Sequence, residues 1–167
     1  MSENTEPGMP WFAVRVRGRS EPAAAAALRA KGFRPYLPTC VLRKRYSDRF
    51  KVVEAPLFPG YLFCPMVPEH TAPVLSIPTV RYILGDSRGP VPVCAEEIAA
   101  LQRVAGAGAL PTRYLASGCR VRISFGNLAG VEGILVRSNS RVRVVLSVEM
   151  LGKSVAVEVD EDQIELI

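Results

Sequence analysis

Apolar and polar positions change rhythm several times along the chain, and each change marks an element. From Trp11 to Arg17 the alternation is strict, with Phe12, Val14 and Val16 on one side and Ala13, Arg15 and Arg17 on the other. A period of two predicts a strand with one buried face. Ser20 then offers an N-cap, Glu21 and Pro22 suit a first turn, five alanines lead to Leu28, and Gly32 stops the run, so a helix is expected from Glu21 to Lys31. Its alanines allow close approach to a sheet. A second strand is expected from Tyr36 to Arg43, bent or held at an edge by Pro35 and Pro38. Residues 43–49 read as a polar hairpin tip. Pro59-Gly60 punctuates the chain before a short strand at Tyr61–Phe63, and another strand runs from Val80 to Leu84. Ile98 and Leu101, three apart, place a helix over Glu96–Val104. This order, strand, helix, three strands and helix with short connections, predicts an α+β layer architecture in which helices cover a sheet.

The stretch AGAGALP from Ala105 to Pro111 combines small residues, two glycines and a proline, a composition suited to a linker. Beyond it the period is two throughout. Val121, Ile123 and Phe125 alternate with polar positions, as do Val142–Val148 and Val155–Val159, with glycine and asparagine turns between. Several short strands in some fifty residues predict a small β-barrel, which limits exposed edges by curling. The expected organisation is a disordered tail at 1–9, an α/β domain at 10–104, a linker at 105–113 and a barrel at 114–167.

Charge adds a second division. Residues 1–113 carry 15 Lys or Arg against 9 Asp or Glu, whereas 114–167 carry 6 against 7. Between Arg15 and Lys51 eleven basic residues face only Glu21 and Asp48. Such a patch attracts nucleic acid or an acidic protein face. The opening decapeptide MSENTEPGMP lacks the basic start and apolar stretch of a secretory signal, and no apolar run approaches the roughly 18 residues of a membrane helix. A cytoplasmic protein that does not engage a membrane is expected. Cys40, Cys64, Cys94 and Cys119 are widely spaced and His70 is the sole histidine. Structural zinc uses closely spaced pairs, so four small buried or half-buried thiols are expected and no metal.

The motifs of catalysis are missing. No GxSxG, phosphate loop or GxGxxG stands in the sequence. The acidic string Glu158, Asp160, Glu161, Asp162 lacks the order and the glycine of an EF-hand, and Glu96-Glu97 opens a helix where acids suit the macrodipole. A non-enzyme without cofactor is expected. Three features rise above this background. Pro56-Leu57-Phe58-Pro59-Gly60-Tyr61-Leu62-Phe63 packs three aromatics around a Pro-Gly turn, and Tyr61 and Phe63 share a side that can form a docking patch. Gly118–Ile123 continues into Gly126-Asn127-Leu128-Ala129-Gly130-Val131-Glu132-Gly133. The hairpin tip with Arg43, Lys44, Arg45, Tyr46 and Arg49 can touch phosphate and stack on a base.

At these residues the chain resembles the NusG family of bacterial transcription elongation factors. Trp11-Phe12-Ala13-Val14 is similar to the family's opening strand, Phe58–Phe63 to its FPGY core motif, and Gly118–Gly133 to a KOW motif closed by the strands of Val142–Leu166. Val80–Ile83 and Pro90–Val93 fall where the same N-terminal domain has matching segments. Within the family, Pro35–Pro38, Arg45–Arg49 and Pro56–Tyr61 look like a specialised paralogue of the RfaH and UpxY type. The resemblance implies an NGN domain joined to an SH3-like KOW barrel, acting as a monomer that binds the clamp helices of RNA polymerase and suppresses pausing or termination on selected operons. It implies polymerase-binding positions at Trp11, Phe12, Tyr61 and Phe63. His70-Thr71 would touch the opposite side of the cleft, and Arg43, Lys44, Arg45, Tyr46 and Arg49 would face upstream or non-template DNA. Gly126, Asn127, Leu128 and Gly130 would form the KOW loop.

Two departures bear on partners. Asn127-Leu128 replaces the Pro-Phe of many general NusG loops, and Arg15 stands where some relatives have an aromatic. General barrels recruit Rho or a small-subunit ribosomal protein, and specialised ones tend to lose Rho. Some RfaH-type barrels refold as helical hairpins, but the β-branched runs at Val142–Val148 and Val155–Val159 disfavour helix, so a stable barrel is expected. The alternatives are a housekeeping NusG and a ribosome- or RNA-binding KOW protein.

Overall fold

A computed structural model describes residues 8–115 and 117–167. In chain order the elements are β1 (Trp11–Val16), α1 (Glu21–Ala30), β2 (Thr39–Arg45), β3 (Phe50–Pro56), β4 (Tyr61–Pro65), α2 (Ala72–Leu75), β5 (Val80–Ile83), β6 (Gly85–Asp86), β7 (Gly89–Pro90), α3 (Ala95–Ala105), β8 (Leu110–Thr112), β9 (Arg120–Ile123), β10 (Glu132–Ser138), β11 (Arg141–Val148), β12 (Lys153–Val159) and β13 (Ile164–Leu166). They form two compact units, Met1–Pro38 with Phe58–Ala95, and Thr39–Leu57 with Glu96–Ile167. Among the described residues no helix is long and apolar enough to cross a membrane. Most of the expected tail at 1–9 lies outside the described residues.

The first unit is built on an antiparallel sheet in the order β4-β1-β5. Alternation along β1 sends Phe12, Val14 and Val16 inward with Leu62 and Cys64 of β4. They meet Ala24, Ala25 and Leu28 of α1, with Phe33, Met66, Val74 and Ile77 completing the core. Each large side chain so buried contributes about 1.5–3 kcal/mol. The alanines on α1 let helix and sheet approach closely, as their small volume suggested. Burial pushes the Cys64 thiol up to about 12, so it is a neutral apolar filler.

The ends of α1 differ from each other. Ser20 stands at the N-cap position but makes no side-chain cap bond, so the expected cap is absent. Glu21 turns inward instead. At the other end Gly32 adopts φ +89°, and the Phe33 N–H donates to the Leu28 carbonyl, which closes the helix where the glycine predicted. Residues 36–38 do not join β2. Tyr36 exchanges both backbone hydrogen bonds with Phe63 as an isolated bridge, and the strand begins only after Pro38, whose ring removes a ladder donor.

The second unit holds the β2–β3 hairpin, α3 and a six-stranded antiparallel sheet in the order β13-β9-β10-β11-β12-β8. Val121, Ile123, Val131, Val144, Leu146, Val155 and Val157 are buried, as expected of a barrel-like β layer. The segment 105–113 is not a bare linker. Ala105 ends α3, a turn follows, and Leu110–Thr112 pairs with Ser154–Ala156 of β12. Other elements, β3 and α2 among them, escaped the periodicity. Phe50–Pro56 has no buried residue to set an alternation, and α2 is a single turn opened by a proline. Of the four thiols Cys40 and Cys64 are buried, whereas Cys94 and Cys119 are exposed and depart from the buried or half-buried placement expected.

Candidate interaction surfaces

The first candidate lies on the side of β4-β1-β5 that turns away from α1. Residues directly opposite one another in an antiparallel pair share a face. On this face β1 offers Trp11, Ala13 and Arg15, matched by Pro65, Phe63 and Tyr61 of β4, and Tyr82 of β5 lies opposite Arg15. Not all of it is surface. Phe63 is fully buried because Phe58 packs edge-on against it at 5.8 Å and the Tyr36 ring stacks on it at 6.5 Å. Trp11, half-buried, meets Tyr36 edge-on at 6.4 Å. Phe12 is fully buried on the opposite side. Phe12 and Phe63 are therefore core residues and not contact residues. Alternation had placed Phe63 beside Tyr61, but it gave no sign that Tyr36 and Phe58 would cover it.

Tyr82 is exposed, and Tyr61 and Arg15, half-buried, keep part of their surface. The Arg15 guanidinium lies 4.8 Å from the centre of the Tyr61 ring, and its Nη1 donates to the Pro59 carbonyl at 3.4 Å. Gly60 makes this possible. It adopts φ +85°, which favours glycine, and a Cβ there would collide with the Arg15 guanidinium. The buried Glu21 carboxylate accepts the Gly60 N–H at 2.7 Å and pins the turn that presents Tyr61. Neither Glu21 nor Tyr82 was singled out in the sequence. A glutamate at the first turn of a helix reads as macrodipole chemistry, and only the fold brings it to Gly60. His70 is exposed in a turn, its N–H donating to the Val67 carbonyl, and Thr71 sits at the N-cap position of α2 without a side-chain cap bond.

The second candidate is the hairpin. β2 extends through Arg45 and pairs in register with β3, so the tip is shorter than expected and spans Tyr46 to Arg49. Arg43, Lys44, Arg45, Tyr46 and Arg49 are all present on it and solvent-facing, except that Arg43 and Arg45 also lean over Phe50, at 4.1 and 6.0 Å from its centre. Lys44 and Lys51 stand directly opposite one another. Like charges so placed repel, and a bound anion relieves the repulsion. Among the described residues none of these cations forms an ion pair. Val41 and Val52 are 66% and 67% exposed, an unusual degree for valines in regular strands.

The third candidate is the loop from Gly126 to Gly130. Both glycines have positive φ, +87° and +88°, and the Gly130 N–H donates to the Ile123 carbonyl. Arg103 of α3 donates through Nη2 to the carbonyls of Asn127 at 3.0 Å and Ala129 at 2.8 Å. Asn127 is exposed and Leu128 half-buried. Glu97 of the same helix accepts the Glu149 N–H at 3.4 Å. Its carboxyl titrates above the usual range because burial disfavours the charge; the Glu149 N–H works against the rise and the Glu149 carboxylate adds to it. The acidic string follows its surface reading. Glu158 pairs with Arg141, Glu161 with Arg137, and Asp160 caps a short turn.

The family model described as "Transcription termination factor nusG" matches residues 9–102. The NusG "Transcription termination/antitermination protein" of Lactococcus lactis is 31% identical, over 81% of this chain and 76% of its own. That of Thermus thermophilus is 29% identical over 92% and 96%. A solved structure of Thermotoga maritima NusG superposes with a TM-score of 0.60 at 21% identity, covering 95% of this chain and 97% of that one, which shows a common fold.

Proposed function

The chain belongs to the NusG family, and from that premise we propose that it is a transcription elongation and antitermination factor of the RfaH and UpxY type, which docks on the clamp helices of RNA polymerase. The docking face is the exposed side of β4-β1-β5, around Tyr61, with Trp11 at its margin. One observation carries the reading: on this face Trp11, Tyr61 and Tyr82 keep open surface, Tyr82 at 51% and the other two half-buried, whereas Phe12 and Phe63 are fully buried. An aromatic edge held rigid by a sheet is the kind of anchor that protein interfaces use. His70 and Thr71 touch the opposite side of the cleft. The basic hairpin reaches upstream or non-template DNA, with its uncompensated cations on phosphate and Tyr46 placed to stack on a base.

The mechanism is mechanical, and no bond is made or broken by this chain. A ligand that binds the closed clamp more tightly than the open one shifts the balance by that difference in affinity. A bias of about 1.4 kcal/mol changes escape from a pause roughly tenfold. The protein acts in the cytoplasm, as a monomer, on selected operons. Its Gly126–Gly130 loop exposes Asn127, and Asn127-Leu128 in place of Pro-Phe fits a barrel that recruits a small-subunit ribosomal protein in preference to Rho. The test is co-purification with core RNA polymerase followed by pause and termination assays. The protein is expected to bind and to shorten pauses. Tyr61→Ala is expected to weaken binding tenfold or more with an unchanged fold. Sedimentation with ribosomal subunits in high salt, with indifference to polymerase, contradicts the proposal.

A further inference from the structure

Arg15 is a cation without a counter-charge at the centre of the docking face. It lies between Tyr61 and Tyr82 across the three strands, with Tyr61 under its guanidinium. Among the described residues its guanidinium makes one hydrogen bond, a long one of 3.4 Å to the Pro59 carbonyl, which leaves most of its five N–H donors unused. Among the described residues no carboxylate reaches it. Glu21, which holds the turn at Gly60, is committed to the Gly60 N–H. β4, β1 and β5 together contain Arg15 and Arg81 and no Asp or Glu. A half-buried guanidinium stacked on an aromatic is pre-organised and weakly hydrated, so it gains more than an exposed lysine from a planar anion.

We propose that the row Tyr61–Arg15–Tyr82 recognises an acidic side chain flanked by apolar ones on the polymerase element that docks here, with Arg15 as the residue that sets specificity. This rests on the polymerase-binding reading above and adds the chemistry of the partner. The aromatics exclude water at the flanks, and the fork of Arg15 donates two parallel hydrogen bonds to a carboxylate. A protein acid suits the site better than nucleic acid does, because Arg15 already occupies a face of the Tyr61 ring that a base would need. The basic surroundings complement an acidic partner and repel a basic one, which confers selectivity as well as attraction.

The experiment measures binding of the full chain to purified core RNA polymerase over a series of salt concentrations. Arg15→Gln is expected to weaken binding at least tenfold at low salt and to flatten its salt dependence, while Arg15→Lys retains the salt dependence. Binding to a single-stranded oligonucleotide is expected to stay unchanged in Arg15→Gln. The proposal is overturned if Arg15→Gln loses less than tenfold or keeps the wild-type salt dependence, or if it loses oligonucleotide binding alone. Tyr61→Ala separates the two levels. If it weakens polymerase binding and Arg15→Gln does not, only the acidic partner is lost; if the wild-type chain itself does not bind, the docking reading falls with it. Tyr82→Ser, at an exposed position, reads the same row should Arg15→Gln melt early. A loss of threefold or more supports the proposal, and equal binding overturns it.

Discussion

The three-stranded sheet and the hairpin treat their apolar side chains in opposite ways. In β4-β1-β5 most apolar residues are covered, one face by α1 and much of the other by Tyr36 and Phe58, and Trp11, Tyr61, Tyr82 and Ile83 keep open surface. In β2–β3 Val41, Phe50 and Val52 are all more than half exposed and are interleaved with unpaired cations. A two-stranded ribbon cannot stabilise itself through burial, and here its strands are held by register and cross-strand pairs. The contrast teaches that an aromatic in a motif does not announce its use. Phe63 and Tyr61 lie two residues apart on one face, yet one is core and the other is surface.

The sharpest way to break this comparison is to truncate each of those two. Phe63→Ala is expected to cost about 3–5 kcal/mol of stability, as for any large aromatic removed from a core. Tyr61→Ala is expected to cost about 1 kcal/mol, the size of an exposed cation–π contact, and to show its main effect in binding. Chemical denaturation measures both; equal losses would erase the distinction. Next in size is Glu21. Glu21→Ala leaves the buried Gly60 N–H without an acceptor, a loss of about 1–3 kcal/mol. Glu21→Gln keeps an oxygen there and is expected to lose less, and it should preserve polymerase binding.

On the hairpin the expected effects move from stability to binding. Tyr46→Ala is expected to leave the melting temperature unchanged and to weaken single-stranded oligonucleotide binding by about 1–3 kcal/mol, the worth of one stacked base. Lys44→Gln and Lys51→Gln are each expected to lower the slope of log affinity against log salt by about 0.7. The smallest effect concerns Glu97. Its folded carboxyl titrates above the ordinary value, mainly through burial, so the fold favours its protonated form. The contribution is therefore full below the unfolded value of 4.5 and is lost as pH rises through the raised folded value. Glu97→Gln keeps the oxygen facing Glu149 and cannot ionise. It is expected to raise the melting temperature at pH 7 and not at pH 4.

Much of the architecture was legible because period and punctuation carry it. The alternation of β1 and the Glu21-to-Gly32 span of α1 named their own elements, and the FPGY and KOW-like segments pointed to the family. What escaped has a common cause. Phe50–Pro56 buries nothing, so no pattern was imposed on it. Leu110–Thr112 took a linker's composition into a sheet edge, where pairing with β12 overrides local preference. The sequence singled out Tyr61 and the basic hairpin, and it placed Phe12 and Phe63 on a surface they do not occupy. It also missed the triad of Glu21, Gly60 and Arg15, because a hydrogen bond spanning 39 residues leaves no trace in spacing.

The central claim is that the accessible row on β4-β1-β5 is the part of the molecule that holds polymerase. A photoreactive residue placed at position 61 or 82 and activated in a transcribing complex reports on it directly. Adducts to the clamp helices from both positions are expected, and their complete absence from complexes that contain the bound protein would contradict the account.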